Sequence, residues 1–274
     1  MEHNARIATS SLIGIHRDGR NIDIEYQFID APDPQAPLIV FLHEGLGSVS
    51  MWRGWPEQAC KALGCRGLVY SRYGYGQSTV RQNNEQRSID YLHQEAHHDL
   101  PALLTALGLD DEKPVLYGHS DGGSIALLYA AQYPERILAI AVAAPHIFVE
   151  NITVDGIQAA RSIYESSDLA TRLGRHHRDP DSVFWSWNDT WLTPWFRHWN
   201  IESRVSQIRC PILAIQGVDD EYGTLGQIEG IKHLAAQTRL SIIPDCGHSP
   251  HRDQPDAVVL ALGQFIQSIC TDTK

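Results

Sequence analysis

The sequence predicts an α/β fold: a mostly parallel, doubly wound sheet with an inserted helical cap. Three observations carry that prediction. Short apolar runs alternate with segments of helical periodicity, the pattern of strands joined by crossover helices. Two of those runs, Leu38–Leu42 (LIVFL) and Ile137–Ala143 (ILAIAVA), are apolar throughout, as strands buried on both faces must be. The rhythm then breaks between about Pro145 and Val205, where no strand pattern occurs and five of the seven tryptophans fall.

In chain order the expected strands are Ile22–Ile29, Leu38–Leu42, Gly67–Ser71, Val115–Gly118, Ile137–Ala143, Ile212–Gln216 and Arg239–Ile243. Between them the spacing predicts helices over Trp55–Leu63, Ile89–Leu107, Gly122–Gln132, Gly226–Ala236 and Asp256–Cys270. Ala62-Leu63-Gly64 and Ala106-Leu107-Gly108 place glycine where a helix C-terminus takes positive φ. The strand–helix pattern resumes at Cys210-Pro211. The chain therefore divides into a core, residues 1–145 and 204–274, and a helical cap, residues 146–203. An insertion at that point sits over the strand C-terminal ends, where open α/β sheets bind ligands.

Composition narrows the function. The 274 residues are 43% hydrophobic and 20% charged, enough for a sizeable core and too apolar for a disordered chain. Twenty-two Lys and Arg against 33 Asp and Glu give −11, a sign that disfavours nucleic acid and anionic membrane partners. The longest apolar stretch, Ile137 to Pro145, is far short of the roughly 18 residues a membrane helix needs. The opening MEHNARIATSS lacks a charged-then-apolar signal pattern, so a cytoplasmic protein is expected. Its five cysteines (Cys60, Cys65, Cys210, Cys246, Cys270) are then reduced thiols, and the sequons at Asn151 and Asn188 carry no meaning.

The chemistry concentrates in Val115-Leu116-Tyr117-Gly118-His119-Ser120-Asp121-Gly122-Gly123, which reads strand, sharp turn, helix. Gly118 and Gly122 flank Ser120 at two residues on either side, the spacing of a nucleophile elbow. A serine on so tight a turn takes a strained backbone, and side chains at the flanking positions would collide with neighbours. In return its hydroxyl stands clear of the sheet beside a helix N-terminus, whose free N–H groups suit a developing oxyanion. A serine hydroxyl needs a base. Of 14 histidines, His248 lies just after the last strand, on the Gly- and Pro-built loop Pro244-Asp245-Cys246-Gly247-His248-Ser249-Pro250. Past the penultimate strand, Gly217-Val218-Asp219-Asp220 offers two carboxylates, either able to orient an imidazole.

With Ser120, an acid and His248 in that order, the chain resembles the α/β-hydrolase superfamily over nearly its whole length. It is similar to the capped, serine-nucleophile branch that includes esterases and carbon–carbon hydrolases. The resemblance implies that the acid falls three residues after the glycine, which selects Asp220 over Asp219. It also implies an oxyanion loop after the third strand, here His43-Glu44-Gly45-Leu46-Gly47-Ser48. Gapless alignment puts one donor at the Gly45 N–H, a one-residue shift would choose Leu46, and the Asp121 N–H is the second. Arg72-Tyr73-Gly74-Tyr75-Gly76-Gln77-Ser78 matches a family turn and reads as structural. Glu44 stands where relatives usually carry glycine. A carboxylate there should point away from the oxyanion or pair with a cation, Arg72 being one candidate; alternatively it recognises a substrate hydroxyl or ammonium.

Related haloalkane dehalogenases and epoxide hydrolases use aspartate at the elbow to attack an sp³ carbon. Ser120 instead suits addition to a carbonyl, which implies a carboxylic-ester hydrolase acting on a small molecule with no cofactor and no metal. A thioesterase, a lactonase or a carbon–carbon hydrolase of an aromatic-degradation pathway would share the machinery, and a ligand receptor on the same fold is the rival from another class. Glu44, Leu46, His119, Trp187 and Trp191 are the candidate pocket residues, with most cap tryptophans expected to pack among themselves. His119 and the Asp121 side chain are expected to brace the elbow. His93 and His97 stand one helical turn apart but lack an obvious third ligand, so they read as a solvated helix face.

Overall fold

The computed structural model describes residues 10–82 and 87–271, so residues 1–9 of the opening stretch lie outside it. The strands are β1 (Ser11–Arg17), β2 (Arg20–Ile29), β3 (Leu38–Leu42), β4 (Arg66–Ser71), β5 (Val115–His119), β6 (Ala139–Ala143), β7 (Ile212–Gly217) and β8 (Thr238–Ile243). They form one eight-stranded sheet in the order β1-β2-β4-β3-β5-β6-β7-β8. The pairs β1–β2 and β2–β4 are antiparallel, and every pair from β4 to β8 is parallel.

The helices are α1 (Trp55–Leu63), α2 (Tyr91–Gln94), α3 (Leu100–Ala106), α4 (Asp121–Gln132), α5 (Asn151–Ser166), α6 (Leu169–Leu173), α7 (Pro180–Leu192), α8 (Glu202–Val205), α9 (Gly226–Leu234), α10 (Pro250–Asp253) and α11 (Pro255–Thr271). Among the described residues none is long and apolar enough to cross a membrane. The apolar central strands are buried on both faces. Val40, Leu42, Leu116, Ile140 and Val142 pack into one core with α3, α4 and α9. Their sequence neighbours Ile39, Phe41, Val115, Tyr117 and Ala141 pack into the other, against α1 and α11. Period-two alternation in an all-apolar run thus serves two cores at once.

Four expectations are corrected. The first strand, β1, was not among those expected; Asp18 and Gly19, at φ 49° and 79°, turn it back onto β2 as a hairpin. The expected strand Ile137–Ala143 starts only at Ala139, because Pro134–Arg136 forms a 3₁₀ turn and the chain is still approaching the sheet at Ile137. The expected helix Ile89–Leu107 starts at Tyr91 and carries a π turn over Glu95–Asp99, where one residue too many is absorbed. The helix expected over Gly226–Ala236 ends at Leu234.

Strand order reverses between β3 and β5, since the chain runs outward from β3 to β4 and then returns to the other side. Such a switch point opens a crevice at the strand C-terminal ends. The loop after β3 and the turn after β5 border it, and the helices α5 to α8 are inserted between β6 and β7.

The close fit at the crevice depends on glycine. A Cβ on Gly122 would lie 2.1 Å from the Leu42 carbonyl oxygen, a backbone atom with no side-chain escape. Gly122→Ala is therefore expected to destabilise the fold by about 3 kcal/mol, read as the loss in a urea unfolding curve. A variant as stable as the parent would mean that β3 and α4 do not touch there.

Candidate active site

Ser120 is the single residue between β5 and α4, at φ 53° and ψ −118°. That left-handed conformation costs a non-glycine residue about 1–3 kcal/mol and persists because the surroundings enforce it. A Cβ on Gly118 would meet the Gly122 carbonyl oxygen at 2.2 Å, so the steric reason for both flanking glycines is visible. The Ser120 N–H donates to the Ala143 carbonyl (2.9 Å), anchoring the turn to β6.

His248 lies on the loop between β8 and α10. Its Nε2 is 2.9 Å from Ser120 Oγ, and its Nδ1 is 2.8 and 3.0 Å from the two Asp220 carboxylate oxygens. The three side chains converge although 128 residues separate the serine from the histidine. Gly217, at the end of β7, makes that approach possible: a Cβ there would lie 2.1 Å from the Cys246 carbonyl oxygen. The loop is also braced on both sides. His119 Nε2–H donates to the His248 carbonyl (2.7 Å), and the His248 N–H donates to Glu221 Oε2 (3.2 Å).

Asp220 is the acid that reaches the imidazole. Its carboxylate also accepts from Gln216 Nε2 (2.6 Å) and the Tyr222 N–H (2.8 Å). Asp219 is exposed, and its main-chain N–H donates to the Cys246 carbonyl instead. Burial works against the Asp220 charge, but its bonds to His248 and the Tyr222 N–H outweigh it and lower its pKa. Burial likewise lowers His248, and the hydrogen bond and charge of Asp220 outweigh that and raise its pKa. Three other histidines crowd the same loop. Burial lowers the pKa of His119, His146 and His251, the last to about 3, so His248 gains a proton without charged imidazole neighbours.

The loop after β3 forms the facing wall. Gly45 lies under α7: a Cβ there would fall 2.2 Å from Trp187 Nε1. Glu44 lines the cavity, and burial raises its pKa against the lowering by Arg72, His248 and Arg252. An acid moved toward its neutral form opposes an oxyanion less than a full carboxylate would. Arg72, one candidate cation for Glu44, acts on that carboxylate through its charge, while its hydrogen bonds go elsewhere. Arg72 Nη2 donates to the Glu44 main-chain carbonyl (2.8 Å), and its guanidinium sits 3.4 Å from Asp121 Oδ2.

Ser120, His248, Glu44, Gly45, Leu46, His119, Asp121, Trp187 and Trp191 all border one cavity of about 260 Å³. The two tryptophans come from α7, whereas Trp199 is buried against Phe196 and Trp195 is exposed. Sequence reasoning missed His146, Tyr222, Met51 and Arg252, which share that lining, along with Ile157 of α5. For His146 and Tyr222 a signal was available, since each follows the C-terminal end of a core strand within a few residues. Nothing local marks Ile157. His93 and His97 have ring centroids 5.7 Å apart, and among the described residues no group of three or more His, Cys, Asp or Glu side chains is arranged to hold a metal.

An eight-stranded sheet with a serine on the turn after β5 defines an α/β-hydrolase architecture. The chain belongs to the alpha/beta hydrolase family, whose sequence model matches residues 39–262. It is 24% identical to epoxide hydrolase 4 of Mus musculus, over 89% of this chain and 77% of that protein. It is 23% identical to the 2-hydroxy-6-oxononadienedioate/2-hydroxy-6-oxononatrienedioate hydrolase of Comamonas testosteroni, over 91% and 93% of the two chains. Among solved structures, a carboxylesterase from the thaumarchaeon Nitrososphaera gargenis superposes with a TM-score of 0.74 at 18% identity, covering 94% of this chain and 99% of that one. Membership of a hydrolase superfamily supports an enzyme.

Proposed function

We propose that the protein is a serine hydrolase that cleaves a small carboxylic ester through an acyl-enzyme. The observation that carries this reading is the relay Ser120 Oγ–His248 Nε2–His248 Nδ1–Asp220, at 2.9 and 2.8 Å, opening into a cavity. Ser120 Oγ adds to the ester carbonyl while His248 Nε2 takes its proton. Asp220 holds the Nδ1–H tautomer and stabilises the imidazolium. The carbonyl oxygen becomes an oxyanion that accepts from the Gly45 and Asp121 N–H groups. Collapse of the intermediate expels the alcohol, which takes the proton from His248. Water then enters and adds to the acyl carbon as His248 takes its proton; the bond from that carbon to Ser120 Oγ breaks, His248 returns the proton to Oγ, and the acid leaves.

Serine at the elbow favours carbonyl addition over the opening of an epoxide, because an acyl-serine can be hydrolysed at the same carbonyl carbon. The cavity, about 260 Å³, is just below the range of about 300–1,000 Å³ usual for small-molecule sites, which favours a compact acyl group. We read residues 146–203 as the cap that closes over it, with Trp187 and Trp191 facing the substrate.

One finding favours a second reading. The Comamonas testosteroni relative, named as a hydrolase of 2-hydroxy-6-oxononadienedioate and 2-hydroxy-6-oxononatrienedioate, aligns over 91% of this chain, and the same machinery could cleave a carbon–carbon bond of a vinylogous diketone. A panel of aryl and alkyl esters, thioesters, lactones and ring-fission diketones separates the two. Esters are expected to give the highest kcat/KM, with a burst of alcohol equal to one active site per chain. Higher kcat/KM on the diketones would transfer the reading to carbon–carbon cleavage, and a single slow turnover on every substrate would favour a receptor.

A further inference from the structure

Arg72 is the largest fully buried side chain bearing a charge in this core, and the triad chemistry does not use it. What it touches is informative. Its Nη2 donates to the Glu44 carbonyl oxygen at 2.8 Å. The same oxygen accepts from His43 Nδ1–H at 2.7 Å and from the Gly47 N–H at 3.1 Å. His43 is held neutral, by burial first and then by Arg72, and its Nε2 accepts the Arg72 main-chain N–H at 3.0 Å. That last bond leaves the ring proton on Nδ1, facing Glu44.

The Glu44 carbonyl and the Gly45 N–H belong to one peptide plane. In a trans peptide the two point in opposite directions, and rotation about the C–N bond is blocked. Three donors that hold the oxygen inward therefore aim the Gly45 N–H away from Arg72, and they polarise it by drawing electron density toward the oxygen. The same Nη2 and its neighbour Nη1 both meet Asp121 Oδ2, each at 3.4 Å. Asp121 is the first residue of α4, so its N–H is one of those a helix leaves without an internal acceptor.

The network extends further. Asp121 Oδ2 accepts from the Tyr91 hydroxyl at 2.9 Å, and that hydroxyl accepts from Trp191 Nε1–H at 2.9 Å. Asp121, Tyr91 and Trp191 are all buried. Trp191 belongs to α7 of the insertion and lines the cavity. One chain of hydrogen bonds thus runs from the substrate-facing insertion to both walls of the crevice.

We infer that Arg72 is the positioning residue of the oxyanion hole, its planar fork clamping the Glu44–Gly45 peptide through Nη2 and the first residue of α4 through Nη1 and Nη2. The inference rests on the assignment of Gly45 and Asp121 as donors under the proposed function. It replaces the view of the Arg72–Ser78 turn as purely structural, and it selects Gly45 over Leu46, because the Gly45 N–H shares its peptide with the clamped oxygen.

Two variants test it. Arg72→Lys keeps the charge but replaces the planar fork with one ammonium on a shorter stem, losing the paired Nη1 and Nη2 geometry that holds both partners in register. Arg72→Met combined with Asp121→Asn removes both charges, so no carboxylate is stranded in the core, and keeps the Asp121 N–H. With rates expressed per titrated active site, kcat is expected to fall about 10²-fold in both, the usual cost of a misplaced oxyanion donor, while KM stays near the parent value. Affinity for a trifluoromethyl ketone carrying the best acyl group, which adds to Ser120 as a tetrahedral oxyanion, should fall in parallel. Affinity for the matching ether, which cannot add, should not. A parental kcat in a folded variant overturns the clamp. So does equal weakening of ketone and ether, or failure of both variants to fold, since each assigns Arg72 to folding alone. Ser120→Ala, run alongside, separates the two levels: turnover surviving there rejects the acyl-enzyme, whereas its loss with parental kcat in the Arg72 variants rejects only the clamp.

Discussion

Replacing Ser120 with alanine is expected to lower kcat by about 10⁶-fold, the scale on which losing the nucleophile of a serine triad acts. The reason is positional. The hydroxyl is the only nucleophilic atom that the β5–α4 turn presents to the cavity within hydrogen-bond reach of His248, at 2.9 Å. No fold defect should accompany the loss. Alanine inherits the same φ of 53° at the same steric cost, because serine and alanine share the Cβ that makes the left-handed region unfavourable. The measurement is steady-state hydrolysis of the best ester beside a thermal unfolding curve. Retained turnover in a folded variant would falsify the assignment of Ser120 as nucleophile.

Asp220→Asn is the second large effect, an expected fall of about 10⁴-fold in kcat. The carboxylate contacts His248 Nδ1 through both oxygens, at 2.8 and 3.0 Å, while Tyr222 N–H donates to one and Gln216 Nε2 to the other. An asparagine oxygen kept on the Tyr222 side puts its NH₂ where Oδ2 stood, facing the imidazole. Gln216 can turn its amide to accept that NH₂, since its own Oε1 is buried without a partner. The variant should therefore fold, yet lose the charge that stabilises the imidazolium.

The same substitution should move the pH profile, and the direction follows from the wild-type shifts. His248 works as a base only when neutral, so activity falls as pH drops through its pKa. Burial lowers that pKa, but Asp220 outweighs burial and raises it above the ordinary 6.5. The acid limb of kcat/KM in the parent enzyme is expected above pH 6.5 accordingly. Without the Asp220 charge, burial prevails and the limb moves to lower pH. A limb that stays in place would mean that another group sets it.

Much of this site was readable in the sequence because its most demanding features are local. A serine elbow requires small residues two positions away on each side, and Gly118 and Gly122 record that need within five residues. The loops carrying Asp220 and His248 follow core strands directly, so their place at the strand C-terminal ends follows from the strand pattern. The order of serine, acid and histidine supplied the rest. Other features leave no local record. β1 was overlooked because its exposed edge-strand residues weaken the apolar pattern, with Leu12 half exposed. Whether Arg72 would meet the carboxylate or the main chain of Glu44 was not legible, because that choice is made only when the loop after β3 has closed over it.

The sequence alone determined the class of sheet, the turn that carries Ser120 and the loops that carry Asp220 and His248. Each depends on constraints between residues near in the chain, which composition and spacing preserve. The tertiary structure alone decided which tryptophans meet the cavity, which histidines around His248 stay neutral, and how Arg72 joins the two crevice walls. Those outcomes depend on burial and on contacts such as Trp191 to Tyr91, 100 residues apart, and Arg72 to Asp121, 49 apart. Desolvation and long-range hydrogen bonds exist only once the chain has closed, so no window of sequence contains them.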